Sequence, residues 1–158
     1  MIFVTTGTSL PFDRLVRAVD ALAPRFGDER FLAQIGEGEY RPANMEWVRN
    51  LTGSDYADQV NASRLIVAHA GMGSLITAME AAKPIVVLPR RLKYDEINTD
   101  HQLATAKHWV GRTGVFVAMG EDELENALRA ALAAPAPDRT SGDINCLVDK
   151  LKLFIENA

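Results

Sequence analysis

The amino-acid sequence predicts an α/β fold, namely a Rossmann-like, doubly wound domain with a mainly parallel sheet. Apolar runs that are typical of buried strands alternate with segments of helical periodicity along the chain. The length of 158 residues suits one domain with a sizeable core. Hydrophobic residues make up 47% of the chain and charged residues 24%, which is ordinary for a soluble globular protein. We therefore expect ligands to bind beyond the carboxyl ends of the strands.

The first strand and the first helix are separated by a polar turn. Residues 2–6 are apolar and rich in β-formers, which predicts a strand. In the turn at 6–11, Ser9 is the expected N-cap, and Pro11 is tolerated in the first helical turn. Apolar residues then recur with helical spacing at Leu15, Val16, Val19, Leu22 and Ala23. Pro24 is expected to end this helix.

The other elements follow from the same two patterns. Short apolar runs predict further strands at 31–35, 45–48, 64–68, 85–88 and 115–117. Helical spacing predicts helices at 56–62, 75–82, 97–109 and 122–133. A Pro-Ala-Pro run at 135–137 precedes a last predicted helix within residues 138–158, which has one apolar stripe. We expect that helix to pack on its own sheet or to contact a partner.

Charge, cysteine content and motif spacing exclude several classes of function. The net charge of −4 and the lack of a Lys/Arg stripe in the sequence argue against nucleic-acid binding. The single cysteine, Cys146, cannot form an internal disulfide, which favours a reducing cytoplasm. The apolar runs are too short for a signal peptide or a membrane span, and no His or Cys pair has zinc spacing. We expect neither a metal site nor a cofactor.

The run from His69 to Ser74, at a predicted strand-to-helix junction, suits an anion. Glycine allows the backbone to approach a phosphate closely, and the free N–H groups of a first helical turn point toward it. Gly71-x-Gly73 is followed by Ile76 where a dinucleotide fingerprint has a third glycine. The sequence also lacks a Walker-type phosphate loop and a G-x-S-x-G elbow. The pattern therefore predicts phosphate binding of another kind.

Several motifs together resemble one family of glycosyltransferase subunits. They lie, in the family's order, at residues 4–8, 12–15, 69–74, 80–91 and 98–104. They are similar to the PssE and Alg-thirteen type of subunit and to the C-terminal, donor-binding half of MurG-like family 28 glycosyltransferases. Gly71-Met72-Gly73 and the Pro89-Arg90-Arg91 ending are most similar to PssE-type subunits. The resemblance covers residues 1 to about 117.

This resemblance implies one half of a GT-B architecture, with residues 1–158 forming a single UDP-sugar-binding domain. It implies a catalytic, donor-binding subunit of an inverting transferase that uses a UDP-sugar as its donor substrate. The acceptor would be a sugar on a polyprenyl diphosphate in bacterial exopolysaccharide biosynthesis. A membrane-anchored PssD-like (Alg-fourteen-like) partner would supply acceptor binding, the catalytic base and attachment to the inner membrane.

The resemblance assigns the donor diphosphate to two turns. Together the two turns comprise Thr6, Gly7, Thr8, His69, Gly71, Met72, Gly73 and Ser74. The turn at 69–74 would bind phosphate through backbone N–H groups and the Ser74 hydroxyl, and the turn at 6–8 would close the other side. The alternatives are capped turns without a ligand and, for His69, a structural hydrogen bond.

The ribose and uracil contacts are less sharply assigned. MurG-like enzymes bind the ribose hydroxyls with an acidic residue six positions after the first glycine, where this chain has Thr77. Glu80 lies one helical turn later, so either residue could make the contact, or Glu80 could lie on an exposed helix surface. Uracil would be bound by backbone between Val48 and Leu51.

The sugar would lie near two polar segments that follow the fifth strand. The residues concerned are Arg90, Arg91, Asn98, Asp100, His101 and Gln102. Arginine pairs bidentately with carboxylates, so we expect Arg90 or Arg91 to bind the carboxylate of a glucuronate donor, and glucuronate is the sugar that the sequence favours. The alternatives are the acceptor diphosphate or the partner for the arginines, and a plain polar helix start for the others.

Three other functions remain compatible with the sequence. The donor could be UDP-N-acetylglucosamine, which has no carboxylate on its sugar. The chain could be a regulatory subunit that binds a nucleotide-sugar without turnover. It could also be a flavodoxin-like nucleotide-binding domain.

Overall fold

One sheet of six parallel strands organises the protein. The computed structural model describes residues 1–137. The strands are β1 (Ile2–Thr5), β2 (Phe31–Gln34), β3 (Glu46–Val48), β4 (Leu65–His69), β5 (Ile85–Leu88) and β6 (Val115–Val117). Their order across the sheet is β3-β2-β1-β4-β5-β6, and every pair is parallel. The parallel, doubly wound sheet that the sequence predicts is thereby confirmed.

Helices cover both faces of the sheet. They are α1 (Asp13–Leu22), α2 (Gly53–Ala62), α3 (Met72–Glu80), α4 (His101–Trp109) and α5 (Leu124–Ala133). The buried residues of α1 and α5 form one core cluster with Ile2 and Val4, whereas those of α2, α3 and α4 form a second cluster with Phe3. Successive side chains of β1 thus pack into the two different core clusters, because side chains alternate across a strand.

The strand order reverses between β1 and β4, which lie side by side in the middle of the sheet. Ile2 pairs with Phe31 of β2 on one side and with Leu65 of β4 on the other. The loops that leave the carboxyl ends of β1 and β4 therefore run to opposite faces of the sheet. Such a reversal opens a crevice, which is where doubly wound sheets bind their ligands.

Helix starts differ most from the sequence predictions. Ser9 is not the N-cap of α1, which begins at Asp13 after Phe12 without a side-chain cap, so that expectation is wrong. Pro24 lies in a short 3-10 turn (Ala23–Phe26) that follows the end of α1. The helix predicted at 97–109 begins only at His101, after a 3-10 turn at Leu92–Tyr94. Tertiary contacts of the intervening segment, described below, override its helical spacing.

Two other helices begin earlier than predicted. The start of α2 lies at Gly53 because the Thr52 hydroxyl accepts a hydrogen bond from Asp55 N (3.2 Å), a side-chain cap. The start of α3 lies at Met72, directly after the turn at 69–71. The helix predicted within 138–158 lies outside the described residues. In residues 1–137, no helix is long and apolar enough to cross a bilayer.

Candidate functional site

A cleft of about 610 Å³ opens at the carboxyl ends of β1 and β4. Of the residues named from the sequence as site residues, it brings together Thr6, Gly7, Thr8, Leu51, His69, Gly73, Ser74, Thr77, Arg90 and Gln102. The remaining lining residues are Ser9, Leu10, Gln34, Thr52, Gly53, Tyr56 and Ile97. The described lining contains one cation, Arg90, and no Asp or Glu. In a chain with a net charge of −4, such a lining is suited to an anion.

The first turn of α3 supplies backbone donors to this cleft. Gly71 is the N-cap residue with extended backbone (φ −89°, ψ 145°), so the N–H groups that follow it have no intrahelical acceptor. Gly73 and Ser74 both line the cleft, and Ser74 adds a hydroxyl. A Cβ at Gly73 would have no heavy atom within 4 Å, so the space beside it is open. This arrangement can hold a phosphate against a helix N-terminus.

The ring of His69 fills the space between the two glycine-containing turns. A Cβ on Gly71 would lie 2.3 Å from His69 Nε2, and a Cβ on Gly7 would lie 2.8 Å from His69 Cε1. Gly7 also has a φ of +77°, which side-chain-bearing residues rarely adopt. Both glycines are therefore required for the ring to sit at the floor of the cleft.

Burial and a nearby cation keep His69 neutral. Burial, with the charge of Arg90 adding to it, lowers the pKa of His69 to about 4. Its Nδ1 atom is buried and has no hydrogen-bond partner within residues 1–137. The imidazole is thus a neutral group with unused hydrogen-bonding capacity beside the proposed phosphate position.

We expect His69 to make stability depend on pH between about 6.5 and 4. In this window the unfolded chain binds a proton on His69 that the folded chain rejects, so stability is complete above pH 6.5 and falls as the pH approaches 4. The shift corresponds to at most about 3 kcal/mol, and solvent at the partly exposed ring reduces this to about 1 kcal/mol. Urea unfolding at pH 7 and pH 5, compared between wild type and His69→Asn, measures the effect. Equal losses in the two proteins would contradict it.

Arg90 lies almost fully buried at the edge of the cleft, 3% exposed. Its Nη2 atom donates to the carbonyl oxygens of Thr6 (2.8 Å) and Leu10 (2.6 Å), and its guanidinium lies over the ring of Phe12 (4.9 Å). No described carboxylate forms an ion pair with it, and burial lowers the pKa of Arg90 to about 10, against the opposing charge of Glu96. Arg90 thus remains charged at neutral pH while it braces the loop after β1.

The other predicted sugar-binding residues, apart from Gln102, lie outside the cleft lining. Arg91 turns away, and its Nη2 donates to Met119 O (2.6 Å). Asn98, Asp100 and His101 are exposed, and Asp100 accepts a hydrogen bond from Leu92 N (3.0 Å). Gln102 is 4% exposed, and its Oε1 accepts from Arg90 N (3.1 Å).

The predicted ribose and uridine contacts also separate. Thr77 lines the cleft, whereas Glu80 ends α3 on the exposed surface. Val48 ends β3, and its carbonyl accepts from Ile35 N (3.0 Å) within the sheet. Gly71 and Met72, which were predicted to bind the diphosphate, are outside the cleft lining: a Cβ on Gly71 would meet the His69 ring, and Met72 packs against the second core cluster. Of the two residues predicted for ribose, Thr77 alone is in the cleft lining.

Sequence reasoning placed uracil on the backbone up to Leu51, which lines the far end of the cleft, but it assigned no role to the side chains found there. Gln34 ends β2 beside Thr5, is 2% exposed, and has a buried Oε1 without a partner in the described part of the chain. Thr52, Gly53 and Tyr56 come from the start of α2. Burial raises the pKa of Tyr56, against a hydrogen bond to Thr5, so its phenol stays protonated. The Thr52-x-x-Asp55 capping pattern is the sequence signal that could have located this helix start.

Comparisons with known proteins identify the family of this chain. Residues 1–142 match the glycosyltransferase family 28 C-terminal domain. The chain is 25% identical to the UDP-N-acetylglucosamine transferase subunit ALG13 of Yarrowia lipolytica, over 98% of this chain and 86% of that protein. It is 30% identical to the human subunit of the same name, over 67% of this chain and 10% of that protein.

Solved structures share the fold. An NMR structure of ALG13 has a TM-score of 0.61 at 19% identity and covers 93% of this chain and 94% of its own. MurG of Acinetobacter baumannii has a TM-score of 0.60 at 18% identity, over 95% of this chain and 49% of its own. This chain therefore corresponds to about half of MurG, the C-terminal half of a GT-B fold. Because the family model matches residues 1–142, most of its length, the chain belongs to the glycosyltransferase family 28 C-terminal domain family.

Proposed function

We propose that this chain is the donor-binding subunit of a two-component glycosyltransferase and holds a UDP-sugar in the cleft between β1 and β4. One observation carries the proposal: the cleft combines the α3 N-terminus, a neutral His69 and the cation of Arg90 in a lining that has no described carboxylate. Carboxylates are the ligands that usually hold Mg²⁺. Phosphate charge would therefore be balanced by N–H groups and arginine.

The diphosphate would lie between α3 and the loop after β1. Backbone N–H groups at Gly73 and Ser74 and the Ser74 hydroxyl would bind one side, and Thr6 to Thr8 the other. His69 would complete the floor with a hydrogen bond from its ring. The nucleoside would then extend toward Thr52, Gly53 and Tyr56, with Thr77 near the ribose.

For the sugar, we favour N-acetylglucosamine over glucuronate. The ALG13 relatives are named as UDP-N-acetylglucosamine transferase subunits. Arg90 already uses Nη2 on two backbone carbonyls, and Arg91 lies outside the cleft lining, which weakens the hypothesis that an arginine fork reads a uronate. Gln102 would contact sugar hydroxyls through its amide nitrogen, because its Oε1 accepts from Arg90 N.

The second half of the reaction would come from a partner subunit. The cleft lining of residues 1–137 contains no Asp or Glu, and a histidine whose pKa is about 4 is a weak base, so the acceptor hydroxyl would be deprotonated by the partner. We further propose that this partner is membrane-anchored and presents a lipid-linked acceptor sugar at the cytoplasmic side of the membrane. Exopolysaccharide biosynthesis is the proposed setting.

Calorimetry of the purified chain tests donor binding. We expect UDP and UDP-N-acetylglucosamine to bind, with UDP-glucuronate weaker than the neutral UDP-sugars. Preference for UDP-glucuronate would restore the uronate hypothesis. Absence of binding by any uridine nucleotide would overturn the proposed function. Binding without turnover, even with a co-expressed membrane partner, would favour a regulatory subunit.

Gly73→Ala should separate binding from stability. The new methyl group meets no protein atom within 4 Å, and alanine is the better helix former, so the free energy of unfolding should be unchanged or rise by about 0.5 kcal/mol. The methyl group would occupy the space where a phosphate approaches the helix N–H groups, so UDP affinity should fall about tenfold. Uridine, which has no phosphate, is the control ligand and should bind normally. An unaltered UDP affinity would place the phosphates elsewhere.

A further inference from the structure

The segment between β5 and α4 is held in place by a side chain from α1. Arg14 lies in the first turn of α1, and its Nε and Nη2 atoms donate to the two carboxylate oxygens of Glu96 (2.7 and 2.9 Å). Nη2 also donates to Pro89 O (2.8 Å), and Nη1 to Glu121 (3.0 Å). One guanidinium thus joins α1, the segment at 89–96 and the turn before α5.

These contacts fix the backbone on both sides of Arg90. The carbonyl of Pro89 accepts from Arg14, and the N–H of Arg91 donates to Glu96 (2.9 Å). Between them, the N–H of Arg90 donates to Gln102 (3.1 Å). Three successive backbone groups are therefore held by side chains from three different positions in the chain. A residue held in this way has little freedom to move relative to the cleft.

The ring of Phe12 links the two arginines. Its centroid lies 5.3 Å from the guanidinium carbon of Arg14 and 4.9 Å from that of Arg90, and the ring is buried. Burial opposes the charge of Arg14, but hydrogen bonds and the negative charges of Glu96 and Glu121 raise its pKa. Arg14 is thus a paired cation outside the described cleft lining, whereas Arg90 is the cation within it.

We propose that Arg14 and Glu96 are positioning residues, which fix the segment at 89–96 so that the guanidinium of Arg90 stays at the diphosphate end of the cleft. This inference rests on the proposed function. It predicts a role in donor binding for two residues that do not touch the donor. The bidentate geometry is essential to that role, because only a planar fork can hold both Glu96 oxygens and the Pro89 carbonyl together.

The test compares UDP with uridine in Arg14→Lys, Glu96→Gln and the double variant. Affinities for both ligands are measured by NMR titration, and thermal unfolding is measured in parallel. We expect UDP affinity to fall five- to twentyfold while uridine affinity changes less than twofold, because only UDP uses Arg90. Arg14→Lys keeps the charge but loses the fork, so a fall in this variant indicates positioning rather than long-range attraction. Glu125→Gln, which alters an exposed ion pair on α5, is the matched control.

The outcomes separate the two proposals. A lower ratio of UDP to uridine affinity in the variants, with the control unaffected, supports the positioning role. The positioning role alone is overturned if the wild-type chain binds UDP while the variants keep the wild-type ratio of UDP to uridine affinity. The same holds if the variants bind both ligands more weakly by the same factor. A wild-type chain that binds neither ligand overturns the proposed function and this inference together. The near-isosteric Glu96→Gln keeps the comparison valid if Arg14→Lys lowers the unfolding temperature.

Discussion

Replacing Arg90 with methionine should weaken UDP binding about 100-fold. At an effective dielectric constant of about 20 and a separation of about 5 Å, one pair of unit charges is worth about 3 kcal/mol, or about two decades in affinity. Arg90 is the only cation in the described cleft lining, so no neighbour there can compensate. Methionine fills a similar volume and keeps the contact with Phe12. Calorimetry with UDP at neutral pH measures the effect.

The effect on folding should be smaller than the effect on binding. Methionine leaves the carbonyls of Thr6 and Leu10 without their donor, yet it also removes the cost of burying a charge. We expect the free energy of unfolding to change by about 1 kcal/mol, with uridine affinity retained. Arg112→Met removes the same charge from an exposed position outside the cleft lining and serves as the control. Wild-type UDP affinity in Arg90→Met would show that Arg90 only braces the loop.

Local sequence signals were sufficient for the strands of this fold. The predicted bounds of β5 (Ile85–Leu88) and β6 (Val115–Val117) agree with the structure, because each apolar run is flanked by a proline or a glycine that interrupts it. The doubly wound, mainly parallel class followed from alternation alone, since parallel strands need crossover connections, whereas the order of the strands was not predicted. Helix starts were less predictable because they depend on caps such as Thr52 rather than on apolar spacing.

Long-range pairing explains the segment that the sequence misassigned. Residues 97–100 carry helical spacing into α4, but the segment before them is held by Arg14 through Glu96, 82 positions away in the chain. The sequence also could not show which of Arg90 and Arg91 lines the cleft, because it gives the two residues the same pattern. Arg91 has extended backbone (φ −123°, ψ 133°), and neighbouring side chains of an extended chain point to opposite sides. Only Arg90 can therefore line the cleft.

The glycines around His69 show how far a motif alone can be interpreted. The sequence predicts that Gly71 approaches a phosphate, whereas the structure places the missing Cβ of Gly71 against the His69 ring. Gly73 is the residue of that turn beside open space in the cleft. Glycine is thus needed at these two positions for different physical reasons, which their spacing in the sequence could not distinguish.

Gly71→Ala should therefore destabilise the protein through His69. Its methyl group would lie 2.3 Å from Nε2 and 2.6 Å from Cδ2, so the ring must move, at a cost of about 1–3 kcal/mol for overpacking. The extended backbone of Gly71 (φ −89°, ψ 145°) accepts alanine without strain. The displaced ring would also enter the cleft, and UDP affinity should fall more than tenfold. Chemical denaturation and UDP calorimetry measure the two effects.

A double-mutant cycle isolates the contact. In a His69→Ala background, Gly71→Ala should cost less than about 0.5 kcal/mol, because nothing remains for the methyl group to displace. Gly7→Ala provides the contrast, since its φ of +77° adds backbone strain of about 1 kcal/mol that removing the ring cannot relieve. If Gly71→Ala is equally costly with and without His69, the ring is not the reason for this glycine. If removing the ring abolishes the cost of Gly71→Ala but only part of the cost of Gly7→Ala, the His69 imidazole is a reason for both glycines. Backbone geometry is then an additional reason for Gly7 alone.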